Sequence, residues 1–377
     1  MAFNKVLWTL SISIFITTLG LGIVSPLLSV YAEEMGASGV WIGLIFSSFA
    51  ISRLIFLPFI GRFSDTHGRR KFIIAGMVLY AIASFGYVFS NSIQSLITVR
   101  FFHGLASAMV FPVAMAYVGD MSKKGHEGRT VGNYNTSFFM GLAFGPVLGG
   151  TLSQMFGMHN AFYGMTALSL VALVPILLFL PESRGRRKSN FSFAALFKDR
   201  IAKGMMLMQL IRSVGRGMLM AFVPLYAYSL NVTLSEIGLI LFIELFFAAL
   251  LQKAFGRMSD SHKRENLISI GSMFTGATLF LFSFANGFLQ LFLLSAAMGI
   301  GDAMVMAALT ATSISLGRVH GMGSVTGAFN SVMSAGMVIA PLLAGFIMDR
   351  AGFAMVFYVG GFISILSVVA FYWVLKN

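Results

Sequence analysis

The sequence predicts an all-α membrane protein: twelve transmembrane helices arranged as two homologous six-helix halves. Three observations carry that prediction. Of 377 residues, 57% are hydrophobic and only 10% are charged, whereas an ordinary soluble domain carries about 25% charged residues. The apolar residues come in runs of roughly 20 or more, long enough to cross a hydrocarbon core of ~30 Å as helices. Strands of a membrane barrel would read instead as short alternating segments. Finally, the stretch Gly-Arg-Phe-Ser-Asp-Thr-His-Gly-Arg-Arg-Lys at Gly61–Lys71 recurs as Gly-Arg-Met-Ser-Asp-Ser-His-Lys-Arg at Gly256–Arg264, 195 residues on.

The first half, 1–180, holds apolar spans at 6–30, 41–60, 72–90, 93–119, 130–152 and 161–180. The first run has no small-residue cleavage site ahead of the acidic pair Glu33–Glu34, so it is expected to be a retained helix and not a signal peptide. A basic linker follows at 181–202 and is expected to be cytoplasmic. The second half, 203–377, holds spans at 203–228, 236–254, 266–285, 288–315, 323–346 and 353–375.

Nearly all of the 26 Lys and Arg gather on one side of these spans, in Gly61–Lys71, around Lys123, Lys124 and Arg129, in the central linker and in Gly256–Arg264. The opposite side has Arg350 alone. Cations are retained on the cytoplasmic side, which puts both termini in the cytoplasm of a multi-pass protein of the cytoplasmic membrane. The net charge of +13 is then a topology signal with an added attraction to anionic membrane lipids, and nucleic acid is not needed as a partner. Cys is absent, which excludes disulfides, thiolate metal sites and cysteine nucleophiles.

The repeat extends well past the loop. At the same offset, Ile42-Gly43-Leu44-Ile45 matches Ile237-Gly238-Leu239-Ile240, and Ala108-Met109-Val110 matches Ala303-Met304-Val305. Gly141, Pro146, Leu148 and Gly150 match Gly336, Pro341, Leu343 and Gly345. Paired halves of this kind place a substrate site near the midplane and rock around it.

These residues resemble the major facilitator superfamily over essentially the whole chain. Gly61, Asp65, Gly68, Arg69, Arg70 and Lys71 match that family's loop signature between helices 2 and 3. Arg100 and Gly104 resemble its helix-4 motif, and Pro181-Glu182-Ser183 the usual end of helix 6. Gly141, Gly145, Pro146, Gly149 and Gly150 match the helix-5 motif of the drug:proton antiporter branch. The second loop departs from the pattern, since Lys263 replaces the glycine. The resemblance implies a secondary transporter, not an enzyme, with the first loop latching the halves in one conformation.

Read physically, Gly61 and Gly68 are expected to permit tight turns at the loop. Asp65 can accept from Arg69 or from helix N-terminal amides, with Asp120 and Arg129 within reach. The competing reading is that these cations only fix topology; the fixed spacing of Gly and Asp favours a latch. Gly141, Gly145 and Gly149 share one helix face and would let a neighbour approach closely, while Pro146 removes a backbone donor. That is complete as packing, so the exporter inference from this motif rests on the resemblance.

Charges inside spans are the most informative residues: Arg53, Arg100, His103, Arg212, Arg216, Glu244 and Asp302. Each costs ~2.5 kcal/mol or more in lipid, so each should face a cavity or a partner. Arg212 and Arg216 are four apart and share a face. Four Arg against two acids permits two readings. In one, the excess binds an anionic or phosphate-bearing substrate. In the other, two Arg pair with Glu244 and Asp302 and the rest donate to helix carbonyls. The first span has no acid, although some drug antiporters of the family place a coupling acid there, so proton coupling falls to Asp302 and Glu244 with His103 as a relay. Met205, Met206, Met208, Met218 and Met220 stud the seventh span, as adaptable ligand contacts or, more blandly, as core filler.

There is no phosphate-binding Gly-x-x-x-x-Gly-Lys loop and no metal spacing of His and acids, so no cofactor, metal or catalytic residue is expected. The sequence reading is a monomeric, proton-coupled exporter of amphipathic small molecules working by alternating access. The alternative is transport of an organic anion or a lipid-linked anionic headgroup. A non-transporting sensor or scaffold would leave the loop and the embedded charges without a purpose.

Overall fold

The computed structural model describes residues 2–121, 127–182, 196, 198–320 and 322–376, without the side chains of 2–3, 127–131, 133, 318, 320, 322–324 and 326. Lys123, Lys124, Ser183, most of the 181–202 linker and the Arg129 side chain therefore lie outside the described residues. Within them the chain is helical throughout, with no strand: α1 (Ala2–Glu34), α2 (Gly39–His67), α3 (Arg69–Val88), α4 (Ile93–Met121), α5 (Glu127–Phe156), α6 (Met158–Phe179), α7 (Arg200–Ser229), α8 (Leu234–Ser261), α9 (Arg264–Phe282), α10 (Phe288–His320) and α11 (Met322–Lys376).

Ten of these helices are long and apolar enough to cross a membrane. The expected twelve differ from that count at two places. Helix α5 is not among the ten; Asn133, Asn135, Thr136 and Ser137, then four glycines, dilute its hydropathy. The last two expected spans meet without a loop, two helices within Met322–Lys376 separated by the non-helical Gly352 (φ 77°, ψ 179°). Gly352 lies 195 residues after Gly157, which has φ 90° and separates α5 from α6. Glycine supplies this left-handed bend without a Cβ clash at both places.

The chain divides into two compact units, the first of 1–37, 44–187 and 233–242, the second of 38–43, 188–232 and 243–377. In the first, α1 packs on α5 and α6, and α3 on α4 and α6. In the second, α7 packs on α11, and α9 on α10 and α11. With lipid as apolar as a side chain, close packing and not hydrophobicity holds such helices together. The helix-5 glycines show how: a Cβ on Gly145 would stand 2.5 Å from Cα of Gly22 in α1. Gly141 abuts Phe15 and Thr18, and Gly149 abuts Ile23. Gly150 abuts Leu234, which begins α8. The second unit repeats the crossing, with Gly336 against Ser213 and Gly217 against Ala340. Met205, Met208 and Met206 are buried filler in apolar clusters of that unit.

The Gly61 expectation fails. Gly61 is an interior residue of α2, with open space where a Cβ would lie, and the turn is made by Gly68 alone (φ 102°). The helix simply continues past its apolar span, because its own hydrogen bonds persist in water as well as in lipid.

Candidate functional site

Three charged clusters form, two in the first unit and one in the second. At the turn between α2 and α3, Arg69 is buried (6% exposed) and bridges two carboxylates: Nη2 meets Asp65 at 2.8 Å and Nε meets Asp120 at 2.5 Å. Asp65 is exposed and Asp120 is not, so the two bonds differ in weight. An exposed pair is worth ~0.2–1 kcal/mol, whereas removing one partner of a buried pair costs ~3–5 kcal/mol. Arg70 donates its backbone N–H to Glu182 at 3.1 Å and its guanidinium to the Leu177 carbonyl at 2.9 Å. Glu182 thus caps the start of α3, beside Gly68, where a Cβ would lie 2.6 Å from its carboxylate. The tie of Glu182 to the loop was not foreseen; only its position in the Pro181-Glu182-Ser183 motif marked it.

The second cluster joins α2, α3 and α4. Arg100 (4% exposed) donates to Tyr87 Oη at 3.4 Å and stacks over Phe49 and Phe46, with its guanidinium carbon 4.7 and 5.4 Å from the ring centres. Tyr87 Oη lies 3.0 Å from His103 Nδ1. An Arg only donates, so the Tyr87 oxygen accepts from it, and the Tyr87 hydroxyl and His103 Nδ1 share their contact in a direction set by the imidazole tautomer. Nε2 of His103 is buried and unpartnered. Tyr80 and Phe49 close on the imidazole edge to face at 4.4 and 5.4 Å. Arg53 donates to Ser107 at 2.9 Å and also approaches Phe49.

The third cluster lies wholly in the second unit. Arg212 and Arg216, one turn apart on α7, both donate to Oδ2 of Asp302 on α10, at 3.3 and 3.0 Å. Asp302 is buried (5% exposed). Glu244, half-buried on α8, lies within electrostatic range of Arg216, Arg212 and Asp302 without an ion pair. The backbone of α8 at Glu244 touches Gly299 of α10. A small cavity opens on this cluster between α7, α9, α10 and α11, and Ser272, Thr275, Leu279 and Met298 are among the residues that line it.

The structure therefore gathers Arg53, Arg100 and His103 in one place and Arg212, Arg216, Asp302 and Glu244 in another. The expected pairing of one Arg per acid, with the remainder on helix carbonyls, is not found. Both α7 arginines converge on Asp302, and Arg53 and Arg100 use hydroxyls and ring faces. A planar guanidinium stacks on aromatic faces in a way that an ammonium does not. Among the described residues no carboxylate pairs with Arg53 or Arg100, and no metal-binding group of His and acids occurs.

The family model of the Major Facilitator Superfamily matches residues 10–203 and 205–377. An uncharacterised transporter of this type from Methanocaldococcus jannaschii is 29% identical over 374 residues, covering 96% of each chain. The quinolone resistance protein NorA of Staphylococcus aureus is 26% identical over 358 residues, 92% of this chain and 90% of its own. Among solved structures, the nucleoside transporter NupG superposes with a TM-score of 0.81 at 14% identity, over 99% of both chains. The human organic anion transporter MFSD10 gives 0.71 at 18%, over 98% of this chain and 99% of its own. With the two-unit helical fold, the repeat and the loop signature in place, the chain belongs to the Major Facilitator Superfamily and is a multi-pass membrane transporter.

Proposed function

We propose that this transporter exports amphipathic small molecules across the cytoplasmic membrane by proton antiport, with halves 1–180 and 203–377 alternating access around a central site. It works as a monomer with both termini in the cytoplasm. Similarity to NorA, whose name records quinolone resistance, over 92% of the chain supports the efflux direction.

The single observation that carries proton coupling is Asp302 held by Arg212 and Arg216 with Glu244 nearby. A carboxylate that meets a guanidinium in one conformation and an apolar wall in another loads and releases a proton as the protein moves. The span 6–30 of the first helix supports this by exclusion, because it holds no acid and its polar residues are hydroxyls: Thr9, Thr17 and Thr18 donate to carbonyls of their own helix. Asp65, Arg69, Arg70, Asp120 and Gly68 serve as the conformational latch, with Glu182 added to it. The static alternative is that Asp302 only neutralises the two arginines.

Reconstitution into proteoliposomes with an imposed pH gradient tests the coupling. Asp302→Asn and Glu244→Gln are each expected to lose gradient-driven transport while retaining substrate binding. If both variants respond to the gradient like wild type, the coupling group is elsewhere or the driving ion is not a proton.

A further inference from the structure

We propose that the cavity of the second unit binds an oxyanion, a carboxylate or phosphate headgroup carried on an apolar body, between Arg212 and Arg216. The inference rests on the transport reading above and names the substrate chemistry of the same cluster.

The first argument is donor counting. Each guanidinium has five N–H groups and no acceptor. Arg212 and Arg216 each spend one on the same oxygen, Oδ2 of Asp302. Nε of Arg212 is buried with no partner, and Oγ1 of Thr275, which lines the same cavity, is buried with none. Ser272 lines it as well. One unfilled position can only donate and the other is a hydroxyl that is able to donate, so an acceptor with more than one oxygen would satisfy both. Carboxylate and phosphate match a guanidinium fork in two parallel hydrogen bonds.

The second argument is charge. The groups facing the cavity are two guanidiniums and one carboxylate, a surplus of one positive charge. Glu244 acts on them from farther away and does not line the cavity. A cationic ligand would find one carboxylate, Asp302, and would have to approach it past the two guanidiniums held on its Oδ2. The third argument is size. The cavity has room for a few water molecules, which suits a headgroup and not a whole drug-sized body. Met298 and Leu279 on its wall receive the first apolar atoms behind that headgroup.

The test is binding, so it stands apart from proton-driven transport. Titrate the full-length protein, in nanodiscs of zwitterionic lipid, with 4-phenylbutyrate, with its neutral amide and with inorganic phosphate. A parallel sample in nanodiscs containing phosphatidic acid distinguishes a lipid headgroup from a soluble solute. The carboxylate is expected to bind about tenfold or more tightly than the amide, the scale of a charge-assisted hydrogen bond. Arg212→Gln and Arg216→Gln should each weaken it by a similar factor, and Arg216→Lys should recover only part. Thr275→Val breaks no existing hydrogen bond, so it should fold and still bind severalfold more weakly. Competition by phosphatidic acid would identify a lipid headgroup as the occupant; its absence, a soluble anion. Equal binding of amide and carboxylate, or carboxylate affinity unchanged in well-folded Arg216→Gln and Thr275→Val, overturns the proposal. Proton-driven transport is untouched by that result, whereas Asp302→Asn and Glu244→Gln variants that keep the wild-type gradient response overturn the coupling and leave the oxyanion site standing.

Discussion

Arg69 shows what one side chain settles. Its two carboxylates look equivalent in sequence, since both are simply acids near a basic loop. Burial separates them: Asp120 shares a protected bond and Asp65 an exposed one. Asp120→Asn leaves Arg69 with Asp65 alone and an amide oxygen in place of the more protected carboxylate, and is expected to lower stability by ~1.5–3 kcal/mol. Asp65→Asn should cost no more than ~1 kcal/mol, visible as a nearly unchanged melting temperature in detergent. If Asp65 is part of the latch, that same well-folded variant loses transport; full activity in it would remove Asp65 from the latch. Arg69 and Asp65 were legible as partners because only the short turn at Gly68 separates the end of α2 from the start of α3. The Glu182 contact was not, because 112 residues separate it from Arg70 and nothing local selects that carboxylate over other acids on the same side such as Asp199 or Glu265. Arg53 and Arg100 were legible as buried charges, yet their ring-face and hydroxyl partners could not be read, since Phe is too common here to single out Phe49.

At the scale of elements, the crossing of α1 and α5 is the best case for reading structure from spacing. Glycines at 141, 145 and 149 lie on one face, and the structure uses all three against α1. Any Cβ there meets backbone, which cannot give way as the end of a flexible side chain can. Gly145→Val is expected to destabilise by ~1–3 kcal/mol or more from overpacking, read as a drop in melting temperature and in the yield of folded protein. Gly61→Ala, pointing into open space inside α2, should by contrast be neutral or stabilise by up to ~1 kcal/mol. A fall in melting temperature for Gly61→Ala would show that this position meets something in another conformation. Helix ends were less legible than helix existence: α2 runs seven residues beyond its apolar stretch of 41–60, to His67, because hydrophobicity marks where lipid ends and not where helical hydrogen bonding ends.

At the scale of the whole molecule, the 195-residue repeat predicts much of the fold, and the places where the repeat is broken are informative. Gly157 and Gly352 keep a positive φ in both halves, and Gly36 is matched by Asn231 at φ 59°. Gly68 is not matched: Lys263 takes φ −62° and starts the next helix without a left-handed turn. The partners of the following arginine change with it. Arg69 bonds Asp120, whereas Arg264 bonds Ser315, the residue at the corresponding position, at 2.8 Å and the Ala311 carbonyl at 3.2 Å. Asp260, the counterpart of Asp65, makes no ion pair among the described residues. The second loop therefore keeps the cation but has lost both the buried charge pair and the constrained glycine. A switch that must be held and released needs a contact of appreciable energy: breaking a buried pair such as Arg69–Asp120 costs ~3–5 kcal/mol, whereas the Arg264 hydrogen bonds to a hydroxyl and a carbonyl are worth ~1.5–3 kcal/mol each. The expected outcome is an unequal dependence on the two loops. In proteoliposomes, Asp65→Asn should reduce the transport rate at least ~10-fold, about 1.4 kcal/mol in the barrier, while Asp260→Asn and Arg264→Gln stay within about twofold of wild type. Equal losses from the Asp65 and Asp260 substitutions, in variants of unchanged melting temperature, would mean that both loops act as latches and that the second draws its partner from a conformation other than this one.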